Sequence, residues 1–197
     1  AHQYWVEAQT LRDSAKLDSA FPYYMAAGDA FWEAAAVEGD SAIVARAYVS
    51  KSKASGILSM RRDFRGANEI LKEIYDLLEN IRPGDIDKRV ATMGSMGRNY
   101  NFMMQYAKAE DIYMQALHLH LTQEEPAIYR QIQLLTDRGR VRRDQGKWES
   151  ALKDFEEAVD LCEKIKESSL MPVILFHIGM THLRLKDYVE AEGYFLQ

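Results

Sequence analysis

Gly139-Arg-Val-Arg-Arg-Asp-Gln-Gly146-Lys-Trp148-Glu-Ser-Ala151-Leu-Lys-Asp-Phe155-Glu-Glu-Ala158 is the stretch on which the fold turns. A glycine is followed nine residues later by an aromatic. Alanine, aromatic and alanine then come at steps of three, four and three. Those steps keep the last three residues on one face of a helix. Small residues belong where two antiparallel helices cross closely, and the large ring belongs beside the crossing.

The same frame recurs along the chain. Upstream it reads Gly97, Tyr106, Ala109, Tyr113 and Ala116, and downstream Gly179, Tyr188, Ala191 and Phe195. Two looser copies come first: Ala15, Tyr24, Ala27, Phe31 and Ala34, then Ser55, Phe64, Ala67, Leu71 and Ile74. The leading positions 15, 55, 97, 139 and 179 are separated by 40, 42, 42 and 40 residues. Near-equal intervals of this length mark a helical repeat array, in which each hairpin leaves an apolar face for the next to cover.

Composition agrees with that reading. Only 4 prolines and 11 glycines interrupt 197 residues, and apolar residues recur at i, i+3, i+4 and i+7 over long stretches. Asp40-Ser41 and Asp85 are expected N-caps, and Pro83-Gly84 and Glu124-Glu125-Pro126 are expected helix stops. Helices are predicted near 4–19, 22–38, 41–61, 64–81, 86–104, 107–122, 127–145, 148–166, 170–186 and 188–197. They group as one domain, 1–197, of five units: 4–40, 41–84, 85–124, 125–167 and 168–197. The ending Tyr194-Phe195-Leu196-Gln197 stops in mid-pattern, as expected of a piece of a longer protein with a truncated last unit.

The frame resembles the tetratricopeptide repeat, whose signature is glycine and an aromatic on the first helix and alanine-x3-aromatic-x2-alanine on the second. The period is longer than the roughly 34 residues usual for that repeat. It is similar to the long-helix variants of kinesin light chains and spindle-orientation adaptors. Ala27 to Ala35 resembles, more faintly, the SNAP adaptors of membrane fusion. The resemblance implies an all-α, right-handed α-solenoid of antiparallel helix pairs. It also implies a protein-interaction scaffold or adaptor rather than an enzyme. In the frame's own geometry, Gly97, Gly139 and Gly179 are expected to face Ala109, Ala151 and Ala191, with Tyr106, Trp148 and Tyr188 filling the space beside them.

Motifs for chemistry are missing. The sequence has no Gly-rich phosphate loop, no Gly-x-Ser-x-Gly and no His-Glu-x-x-His. His118 and His120 fall on different helix faces, and His177 and His182 are five apart, so no metal is expected. The single cysteine, Cys162, lies on an apolar stripe and reads as a buried structural thiol. One cysteine forms no internal disulfide, and an intracellular, most simply cytoplasmic, setting is expected. No apolar run is long enough to insert in a membrane. Glu156, Glu157, Asp160 and Glu163 read as a solvated outer face. No cofactor is expected.

Charge divides between the two helices of each unit. The first helices (8–20, 48–62, 90–104, 132–145, 172–186) carry 13 Lys/Arg and 4 Asp/Glu, and the second (23–38, 64–80, 106–121, 148–163, 188–197) carry 4 and 17. The family resemblance implies that first helices line a concave groove. It would place Arg12, Lys16, Lys53, Arg98, Asn101, Gln133, Arg140, Arg143, His177 and Arg184 on the inner wall. A wall of like charge attracts the opposite charge, so the expected partner is an acidic peptide or helix gripped by arginines. Binding through the outer face, as in a SNAP-like or assembly-factor module, is the second reading, and a regulatory repeat domain of a larger enzyme is the third. The Lys/Asn pattern of chaperone-tail clamps is not reproduced at Arg12, Asp13, Lys16, Ser52, Lys53 and Gly56. A net charge of -5 argues against DNA. RNA would need aromatics among the cations, and only Phe102 and Phe176 map there.

Overall fold

The computed structural model describes residues 1–13, 17–38, 40–166 and 169–196. Among them are ten helices and no strand. The helices are α1 (His2–Asp13), α2 (Leu17–Glu38), α3 (Ser41–Met60), α4 (Phe64–Ile81), α5 (Ile86–Phe102), α6 (Tyr106–Leu121), α7 (Ile128–Asp144), α8 (Trp148–Lys164), α9 (Met171–Leu185) and α10 (Tyr188–Phe195). From α1 to α4 and from α6 to α10 each helix packs on the next, which is the connectivity of an all-α repeat fold. The chain divides into two compact units, Ala1–Asn99 and Tyr100–Gln197.

The start of α2 differs from the sequence expectation. The helix begins at Leu17 and carries Pro22 as its sixth residue. There the proline ring forfeits one backbone bond close to the helix start, where the helix tolerates it better than at its centre. Ala15 lies outside the described residues.

Four inter-helix turns repeat in detail. Arg62, Met104, Gly146 and Lys186 all have positive φ, between 57° and 78°. Each closes the helix before it in a Schellman geometry. The next residue's N–H donates five residues back: Asp63 to Leu58, Gln105 to Tyr100, Lys147 to Arg142 and Asp187 to His182, at 2.8–2.9 Å. Only Gly146 meets that left-handed conformation without a Cβ penalty. The recurrence of the turn under unlike residues shows that packing of the flanking helices imposes it.

Inside the first unit, the frame residues Ala27, Ala67, Leu71 and Ile74 are buried with Tyr24, Val44, Ala54 and Leu78. Asp40 caps α3 by accepting from the Ala42 N–H. Lys51 is 4% exposed and is held by Asp29 and Glu73, each at 2.7 Å. Burial alone would lower its pKa, but the bonds to Asp29 and Glu73 outweigh that and raise it. Gly28 makes room for it, since a Cβ there would stand 2.6 Å from the Lys51 Cγ. Arg89 bonds Glu79 at 2.6 Å and the Tyr75 hydroxyl at 3.0 Å. Asn99 donates to Asn68 at 2.8 Å and Ser59 to Asn99 at 3.1 Å.

Inside the second unit, Ala109, Tyr113, Ala116, Ala151, Phe155, Ala158, Cys162 and Ala191 are buried. The crossing differs in one respect from expectation. The surface nearest Gly139 is the ring of Phe155, not Ala151, and that nearest Gly179 is the ring of Phe195, not Ala191. A Cβ at either glycine would lie 2.6 Å from the ring. The alanines bring the helices close, and the glycines admit the aromatic edge. Trp148 and Tyr106 are half-buried as the frame expects, whereas Tyr188 is 64% exposed at the first turn of α10.

Candidate partner-binding site

The cations of the first helices do not share one environment. In α7, residues 138 and 142 face α6 and α8, while 140 and 143 face α9. Arg138 grips Asp154 with two bonds, Nε–Oδ2 at 3.0 Å and Nη2–Oδ1 at 2.6 Å. Arg142 bonds both Asp154, at 2.8 Å, and Glu110, at 3.0 Å. Lys147 and Gln145 add bonds of 2.6 and 3.0 Å to Glu110. Burial would raise the Glu110 pKa, but the hydrogen bonds from Lys147, Arg142 and Gln145 prevail and lower it to about 2. With Lys51 and Arg89, these arginines form ion pairs from first helices to second helices. The charge division therefore serves packing as well as any groove: cations on one helix of a pair meet anions on the other, inside the repeat.

The remaining cations are the candidates for partner contact. On the α7–α9 side, Arg143 Nη1 lies 3.1 Å from His177 Nδ1, and its Nε and Nη2 bond Asp144 at 3.2 and 3.0 Å. Arg140 bonds Asp137 at 3.2 Å. The His177 ring stacks on Phe155 at 5.7 Å and meets Phe176 edge-on at 5.7 Å. Burial first, then the charges of Arg140 and Arg143, lower the His177 pKa to about 4, against a smaller opposing pull from Asp144. His177 is therefore neutral at physiological pH. The structure thus brings Arg140, Arg143 and His177 together, with the exposed Phe176 at their edge.

The other sequence candidates stand elsewhere. Gln133 accepts from Arg130 at 2.9 Å. Arg184 is exposed. Asn101 is half-buried, and its Oδ1 is buried without a hydrogen bond. Arg98 is exposed and donates to Ser95 at 3.0 Å. Lys53 is no open cation, since its ammonium sits 4.8 Å from the Trp5 ring and 5.4 Å from the Tyr24 ring. Lys16 lies outside the described residues, as does the Arg12 side chain. Sequence reasoning missed Asp137 and Asp144, which face the same side as the arginines. The spacing of Asp137 and Arg140, i and i+3, was the available signal.

Among the described residues no group of three His, Cys, Asp or Glu could hold a metal ion. None of the described helices is long and apolar enough to cross a membrane.

A tetratricopeptide-repeat family model matches residues 130–197. No curated protein matches the sequence. Solved structures match nearly the whole chain at low identity. A putative kinesin light chain from Podosopora anserina, with nearly identical TPR-like repeats, superposes with a TM-score of 0.74 at 14% identity, covering 100% of this chain and 91% of that one. BtubC (BKLC) from P. vanneervenii gives 0.76 at 14%, covering 90% and 70%. PlcR of Bacillus thuringiensis, solved with the peptide PapR7 and DNA, gives 0.67 at 12%, covering 98% and 69%. At these identities the likeness speaks to the fold. Residues 130–197 thus match the tetratricopeptide-repeat family model, and the superpositions show a TPR-like, all-α repeat fold over nearly the whole chain.

Proposed function

We propose that this chain is a protein-interaction scaffold, and that in its second unit an acidic peptide or helix binds across Arg140, Arg143 and His177. The observation that carries the reading is the convergence of two guanidinium groups on a neutral histidine beside an exposed phenylalanine. Asp137 and Asp144 hold the two arginines extended but leave them part-exposed. A ligand carboxylate would replace these acids one for one, and an apolar ligand side chain would rest on Phe176. The tetratricopeptide fold supports a binding role, and one structural neighbour was solved with a peptide. Arg184, exposed on α9, extends the same chemistry within the second unit.

The test is a titration of a fluorescent peptide with alternating Glu and Leu against the chain. Arg140→Glu with Arg143→Glu should weaken binding about tenfold or more, since each arginine contact to a carboxylate is charge-assisted, while the thermal melt shifts little. Undiminished binding at physiological salt would remove the reading.

A further inference from the structure

The opposite side of the second unit carries a different surface. Between α8, α9 and α10 lies a cleft of about 450 Å³. Its floor is apolar, formed by Val159, Leu175 and Ile178. Its rim is anionic: Glu156, Asp160 and Glu163 descend one side along α8, and Glu190 of α10 stands on the other. All four carboxylates are exposed, and among the described residues none of them has an ion-pair partner. Among the described residues no lysine or arginine lines the cleft.

The preceding interval shows what this arrangement lacks. Aligning Gly139 with Gly179 puts Arg138 opposite Ile178, and aligning Ala151 with Ala191 puts Asp154 opposite Tyr194. There the chain supplies its own cation, and Arg138 closes on Asp154. In the α8–α10 interval Ile178 and Tyr194 replace that pair, and the acids stand at other repeat positions with no cation among the described lining residues. Four carboxylates around an apolar floor repel one another and present a local potential that favours positive charge.

The geometry points to this cleft as a docking site for a cationic amphipathic helix of a protein partner. Its apolar residues would rest on Val159, Leu175 and Ile178, and its lysines or arginines would meet Glu156, Asp160, Glu163 and Glu190. A volume of this size takes two or three side chains, and the rim supplies orientation. This surface is independent of the Arg140–Arg143 face, and its ligand has the opposite charge.

The experiment uses a labelled Leu/Lys helical peptide of about five turns, titrated against the 197-residue chain at about 0.15 M salt and followed by fluorescence anisotropy. Glu156→Lys with Glu163→Lys should weaken binding about tenfold, from two lost pairs and two new repulsions. Glu124→Lys with Glu125→Lys makes the same charge change on an exposed turn elsewhere and should leave affinity within about twofold. Should the first pair fold poorly by circular dichroism, Asp160→Asn serves in its place, with a loss of about threefold. A scrambled peptide of equal charge should bind more weakly because it presents no apolar stripe. The proposal is overturned if the peptide does not bind, if both reversal pairs weaken it equally, or if the scrambled peptide binds as well. Arg140→Glu with Arg143→Glu should not reduce this binding, so failure here and failure of the acidic-peptide reading are separately visible.

Discussion

Two intervals of the second unit treat charge in opposite ways. Between α6 and α8, the buried carboxylate of Asp154 and the half-buried one of Glu110 are held by Arg138, Arg142 and Lys147. Between α8 and α10, Glu156, Asp160, Glu163 and Glu190 surround an open cleft with no cation among the described lining residues. The difference teaches that acid content on second helices has two uses. One is internal, where a carboxylate locks a hairpin to its neighbour and is costly to disturb. The other is external, where carboxylates cost the fold little and are free to meet a partner.

The largest effect should come from breaking the internal set. Asp154 is 2% exposed and serves two arginines. Asp154→Ala should cost about 2–4 kcal/mol in urea unfolding, because Arg138 loses its partner and Arg142 keeps only Glu110. Glu156→Ala, two residues on, should stay within about 0.5 kcal/mol. Equal effects would erase the distinction.

Acid titration should separate the same two groups. Glu110 has a folded pKa of about 2 against 4.5 when free. Its contribution is therefore present above pH 4.5 and is lost as pH falls towards 2. Screening brings that contribution to the order of 2 kcal/mol. His177 acts earlier. Its pKa falls from 6.5 to about 4 on folding, so the unfolded chain takes the proton first and stability declines from pH 6.5 to 4. Glu110→Gln should flatten the lower window in a pH series of unfolding midpoints, and His177→Asn the upper one.

The glycine contacts offer a finer comparison. Gly139→Ala meets Phe155, which is fully buried, and should cost about 1–3 kcal/mol through overpacking. Gly179→Ala meets Phe195 at the same distance, but that ring is 42% exposed and is free to swing aside. Its cost should be under about 1 kcal/mol. A melt of the two variants side by side checks this.

The smallest effect should lie in the turns. Gly146 and Lys186 adopt the same left-handed conformation in successive units. Lys186→Gly should stabilise by about 0.5–1 kcal/mol, and Gly146→Ala should destabilise by a similar amount. Calorimetry that gives both changes the same sign would show that the turn is not under strain at Lys186.

Most of the architecture was legible from side-chain size and spacing. The alanines at 27, 67, 109, 151 and 191 are all buried, as the frame required, because no larger residue fits where helices cross. The first helix boundary differs: helices expected at 4–19 and 22–38 are instead His2–Asp13 and Leu17–Glu38, and α2 accommodates Pro22 within its first two turns. The candidate site was legible only in part. Arg140, Arg143 and His177 do come together. Arg138 and Arg142, counted with the same excess of cations, turn inward to Glu110 and Asp154. A count by helix cannot separate residues two apart, although they point to different faces.

By itself, the order of residues determined that the chain builds helical hairpins with a period of 40 to 42, since that follows from local periodicity and the small residues crossing demands. Only the tertiary structure decided which charges neutralise one another and which face solvent. Ion pairs such as Arg142 with Glu110 join residues 32 positions apart, and their formation depends on the angle at which packed helices present their side chains.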